Sequence, residues 1–97
     1  MKVTRERIEE KAPPEVADYE TDADWCYLAF RFDFGDERYG VRIFDSDPEV
    51  ADVLKETPGP YDDDRLAQIK NYLVKHAGVR TILTLHGTTG GFAEWVP

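Results

Sequence analysis

The chain has 97 residues and a formal charge of −8, with 33% of residues charged and 41% apolar. This balance suits one folded domain over 1–97 rather than a disordered chain, and the acidic total disfavours direct nucleic-acid binding, because phosphates require Lys and Arg. No stretch approaches the roughly 20 apolar residues of a membrane span, no apolar run follows Met1 as in a signal peptide, and the one cysteine, Cys26, has no internal disulfide partner; the expectation is a cytoplasmic protein with no membrane contact.

Residues 1–11 can form about two helical turns, with Thr4 as N-cap and Val3 and Ile8 as a thin apolar stripe. Pro13-Pro14 ends any helix there, since a residue before proline is pushed out of the α region. Residues 1–14 are therefore expected to be an N-terminal arm, helical or frayed. Residues 12–24 follow with Glu15, Asp18, Glu20, Asp22 and Asp24 and no base.

A first strand is expected over 24–34. Alternation puts Cys26, Leu28, Phe30, Phe32 and Phe34 on one face and Trp25, Tyr27, Ala29, Arg31 and Asp33 on the other. Gly35-Asp36-Glu37-Arg38 forms the turn, and a second strand runs over 39–45. A four-residue loop sets Phe34 opposite Tyr39, Phe32 opposite Val41 and Phe30 opposite Ile43. A one-residue slip would separate the apolar sets. This register places Arg31 opposite Arg42, an unfavourable like-charge pair. The alternative pairs Asp33 with Arg42 and turns on Glu37-Arg38, which lacks the usual Asn or Gly.

Residues 46–56 read as a helix: Ser46 or Asp47 caps, Pro48 enters the first turn, Glu49 completes a capping box with Ser46, and Val50, Val53 and Leu54 share a face. Thr57-Pro58-Gly59-Pro60 breaks the chain. A second helix over 62–77 places Asp62, Asp63 and Asp64 at its positive end and Lys75 and His76 at its negative end. Leu66, Ile69 and Leu73 recur at helical spacing, and Gly78 is the expected left-handed cap. This helix should lie across the Phe30/Phe32/Phe34 face. Residues 80–86 alternate as a third strand, 86–91 form a loop, and 92–96 form a fourth strand. The expected fold is a two-layer α+β sandwich, an antiparallel sheet of about four strands with helices on one face, in the order ββααββ after the arm.

Charge is uneven. Residues 45–64 are acidic apart from Lys55, whereas 65–86 carry Arg65, Lys70, Lys75 and Arg80 without an acid. Such asymmetry orients partners, or it is an ordinary solvated surface.

Asp45-Ser46-Asp47-Pro48-Glu49 imitates the start of a calcium loop, with Glu56 at the twelfth position, but Val50 stands where the sharp turn needs glycine. Asp62-Asp63-Asp64 is explained by helix capping at least as well as by a cation. Gly87-Thr88-Thr89-Gly90-Gly91 follows a strand but lacks the Lys-Ser/Thr and the helix of a phosphate loop. Cys26 with His76 or His86 would be a nucleophile and a base, yet Cys26 belongs to the apolar strand face. No catalytic set, metal site or cofactor is therefore expected.

The other hairpin face carries Trp25, Tyr27 and Phe44 with Arg31, Arg42 and Asp33, the composition of interface hot spots. Alternatively, the arm folds over it through Val3 and Ile8, or it is plain solvated sheet. The leading expectation is an interaction or regulatory module without catalysis, binding a protein partner or itself as a homodimer through Trp25, Tyr27, Arg31, Arg42 and Phe44. A second is an acidic decoy for a basic nucleic-acid-binding surface, using 12–24 and 45–64. A third is a ligand-binding domain or enzyme built on His86, Gly87, Thr88, Thr89 and Gly90.

Overall fold

The computed structural model describes residues 1–86 and 91–95, with side chains through residue 84. Its central hairpin joins β2 (Tyr27–Asp33) to β3 (Arg38–Phe44). Gly35 takes φ +94° and, among the described residues, no non-glycine residue has positive φ, so Gly35-Asp36 forms the two-residue loop whose first position needs glycine. Phe34 N–H donates to the Glu37 carbonyl at 2.9 Å and closes it. The register therefore differs from both expected ones. Phe32 faces Tyr39, Phe30 faces Val41 and Asp33 faces Arg38. Arg31 now faces Gly40 and Arg42 faces Ala29, which removes the like-charge pair that the four-residue loop imposed.

The alternating set behaves largely as expected. Phe30 and Phe32 are buried, and Leu28 and Phe34 pack half-buried at the margin of the core. Cys26 precedes the strand and is only part-buried. Tyr39, Val41 and Ile43 complete the β2–β3 contribution.

Helix α1 (Asp63–Ala77) matches expectation at both ends. The Asp62 side chain accepts the Arg65 N–H, and Gly78 closes the helix at φ 68°. Leu66, Ile69 and Leu73 are buried, and the Tyr72 ring meets Phe30 and Phe32 edge-on at 6.2 and 5.4 Å. Each of the three aliphatic side chains contributes about 1.5–3 kcal/mol by leaving water. A polar network fastens the start of α1 to the hairpin. The Tyr39 hydroxyl accepts the Asp62 N–H at 3.1 Å, and Arg65 pairs with Glu37 and Asp36. The nearly buried Lys55 ammonium meets Glu37 at 3.0 Å and donates to the Thr57 and Pro58 carbonyls.

Two expected helices are corrected. Residues 46–56 form a turn followed by β4 (Val50–Lys55). The Val50 N–H donates to the Asp47 carbonyl across Pro48-Glu49, so the capping residues make a turn instead. Ala51 and Val53 are fully buried on the α1 side, an alternation with period two that pairing to β3 rewards and a helix would not. The N-terminal arm is β1 (Lys2–Ile8), paired antiparallel to β2 with Val3 opposite Phe32. Its charged residues suit an edge strand, and Arg7 clamps Asp45 with two bonds of 2.6 and 2.5 Å.

β5 (Thr81–His86) and β6 (Gly91–Trp95) follow α1 as expected, and the sheet order is β1-β2-β3-β4-β5-β6. All neighbours are antiparallel except β4 and β5, which run parallel. Parallel neighbours need a long crossover, and α1 is that crossover. The architecture is thus α+β, but mixed rather than antiparallel, with six strands and one α-helix among the described residues, in the order ββββαββ in place of ββααββ.

Candidate functional site

With α1 on the Phe30/Phe32 side, alternation sends Tyr27, Ala29 and Arg31 of β2, Gly40, Arg42 and Phe44 of β3, and Asp52 and Leu54 of β4 to the opposite face. β1 adds Thr4 and Glu6 at the border. The arm therefore widens this face rather than folding over it. Val3 packs instead against the core.

Two small residues, Ala29 and Gly40, lie in the middle of the face, and the taller side chains around them enclose a groove of about 640 Å³. At one end, the Tyr27 and Phe44 rings meet at 5.1 Å, a tilted cross-strand pair. The Arg42 guanidinium lies over both rings, 5.9 and 5.5 Å from their centroids, at cation–π range. At the other end, Arg31 holds Glu56 through two bonds of 2.9 and 3.0 Å. Glu56 reaches Arg31 across Gly40, where a Cβ would stand 3.0 Å from Glu56 Oε1. Glycine in this strand interior thus permits a close approach.

Asp52 faces Arg42 across the β3–β4 pair. Burial holds its carboxyl above the ordinary value; the Arg42 charge opposes that rise and the Asp47 charge adds to it. Leu54 is exposed on the same face at 45%.

Of the five expected interface residues, Tyr27, Arg42 and Phe44 form one cluster, and Arg31 stands diagonally from Arg42 across the Ala29/Gly40 floor. Trp25 does not join them. It caps a single 3₁₀ turn at Asp22–Asp24, and its indole N–H donates to Glu20 at 2.7 Å. Gly40, Asp52, Leu54 and Glu56 were not anticipated. The helix expected over 46–56 hid the last three, whereas a glycine inside an aromatic strand was a readable signal.

The other sequence features separate. Asp45 is held by Arg7, and the Arg7 pairing pulls its carboxyl below the ordinary value. Glu49 lies near Arg80, and Asp62 caps α1. Among the described residues, no group of three or more His, Cys, Asp or Glu side chains is placed to hold a metal. The Cys26 thiol donates to the Glu10 carbonyl at 3.2 Å, and the His76 ring meets Tyr72 at 4.3 Å, tilted by 38°. Gly87, Thr88, Thr89 and Gly90 lie outside the described residues, as does the His86 side chain. No helix among the described residues is long and apolar enough to cross a membrane.

Compared with protein-family models, with curated proteins and with solved structures, the chain matches none of them.

Proposed function

We propose that the protein is an intracellular interaction module without catalytic activity, and that it binds a second copy of itself through the helix-free face of the sheet. The observation that carries this reading is the charge balance of the groove. Its lining sets Arg31 and Arg42 among Glu6, Asp52 and Glu56, in a chain whose net charge is −8. Two acidic molecules repel across most of their surfaces, but this face comes within one charge of balance and carries both signs. It is therefore self-complementary in the way a twofold interface must be. Tyr27, Phe44 and the exposed Leu54 supply apolar contact beside the charges, and aromatic and Arg residues dominate such interfaces.

Sedimentation of the wild type across micromolar to near-millimolar concentrations tests this. A reversible dimer is expected, weakened roughly tenfold or more by Leu54→Asp or Arg42→Glu. A monomer at every concentration, or a dimer indifferent to both substitutions, overturns it.

A second reading has one specific support. The Asp45 and Ser46 N–H groups donate to the Cys26 and Ala23 carbonyls, which brings the acidic segments 22–24 and 45–49 side by side. This favours an acidic decoy for a basic nucleic-acid-binding surface. A complex with a polylysine peptide should then weaken steeply with added salt, and a salt-insensitive complex argues against it.

A further inference from the structure

Arg42 differs from Arg31, the other arginine of the groove's floor. Arg31 is already engaged by Glu56 through two bonds. Arg42 has no carboxylate bonded to it, and its guanidinium N–H groups have no hydrogen-bond partner among the described residues, although the chain has 20 acids and only 12 Lys and Arg. Asp52 stands opposite in register but makes no ion pair with it. The two rings beneath Arg42 hold the guanidinium in place. A guanidinium resting on two rings keeps its N–H donors for bidentate bonding, and a fork so restrained loses less freedom when it binds.

We propose that Arg42 is a carboxylate anchor, taking one carboxylate presented by the chain that docks in the groove, with Tyr27 and Phe44 as the platform that orients it. The inference deepens the interaction reading above and rests on it for the source of the carboxylate. Two features select this chemistry. The Arg31–Glu56 contact, laid across Gly40 one diagonal step away, shows that this floor accommodates a carboxylate against a guanidinium in bidentate geometry. The neighbouring Glu6, Asp52 and Glu56 repel a dianion more than a monoanion, so a carboxylate fits better than a phosphate. In a self-associating chain, the partner copy's acids supply that group.

Titration of the protein with sodium benzoate, followed by the arginine side-chain Nε–Hε signals in nitrogen-15 spectra, tests the anchor separately from dimerisation. A saturable shift centred on Arg42 is expected with benzoate, none with benzyl alcohol, and weaker binding of phenyl phosphate. Arg42→Lys keeps the charge but not the fork and should weaken benzoate roughly tenfold with the fold intact. Equal shifts at all exposed arginines, tighter phenyl phosphate, or an unchanged affinity in Arg42→Lys overturns the anchor. Benzoate binding at Arg42 in a chain that sediments only as a monomer retains the anchor and rejects self-association. A dimer that ignores Arg42→Lys, with no benzoate shift, does the reverse.

Discussion

Gly40→Ala probes the floor of the groove with a single methyl. Glycine in the middle of a strand is destabilising by about 0.5–1 kcal/mol relative to alanine, because the unfolded chain loses more freedom. Against that gain stands the contact a Cβ would make: 3.0 Å to Glu56 Oε1, 3.4 Å to its Cδ and 3.7 Å to its Cγ. All three atoms belong to the far part of a flexible side chain, so Glu56 swings aside and the backbone of β3 stays. The swing breaks the Arg31–Glu56 pair, whose side chains are 59% and 27% exposed. Solvent screens such a pair, so its loss subtracts little. The net expectation is a stability unchanged or raised by up to about 1 kcal/mol, measured by urea denaturation with an unchanged slope. The Arg31 Nε–Hε signal should move toward that of a solvated arginine. A destabilisation above roughly 2 kcal/mol would refute the reasoning, because a penalty of that size requires backbone movement or overpacking.

Two further outcomes follow from the packing and the electrostatics. Leu73 is fully buried under α1, so Leu73→Ala should cost about 2–5 kcal/mol in chemical denaturation, and Leu73→Asp should abolish the cooperative melt by burying an unpaired charge. Burial raises the folded pKa of Asp52 above its unfolded value. Its ionisation therefore penalises the folded state, with no penalty below the unfolded pKa of about 3.9 and a growing one as pH rises through the folded pKa. Asp52→Asn should accordingly be more stable than wild type at neutral pH, with the advantage vanishing below about pH 4 in parallel melts. An advantage that persists in acid would contradict burial as the cause.

The parts of the fold legible in the chain are those whose signals are local. The helix at 63–77 combines an aspartate cap, acids in its first turn, an apolar stripe and a terminal glycine, and the structure reproduces each. The strand 27–33 announces itself by strict alternation of aromatic residues. The Gly35-Asp36 turn was also legible: a glycine followed by an aspartate between two alternating runs is a two-residue hairpin signal. The like-charge pairing of Arg31 with Arg42 already argued against the longer loop. Within the candidate site, Tyr27, Arg31, Arg42 and Phe44 could be placed on one face by alternation alone, whereas Trp25 could not, because the strand begins two residues after it and its backbone is helical there.

Residues 2–8 and 50–55 are different in kind. VADVLK satisfies a helical stripe through Val50, Val53 and Leu54 and a strand through Ala51 and Val53, so its own residues do not choose. Pairing chooses: β3 offers one edge and β5 the other, and a strand between them satisfies its backbone on both sides. KVTRERI lacks an apolar face strong enough to hold a helix against the core, but the open edge of β2 accepts it as a strand and buries Val3. The groove inherits this dependence. Its aromatic and arginine end comes from a hairpin that local alternation specifies. Its Asp52, Leu54 and Glu56 side exists only because β4 docks beside β3, a pairing that runs from Arg42 with Asp52 to Tyr39 with Lys55 and that no local propensity encodes.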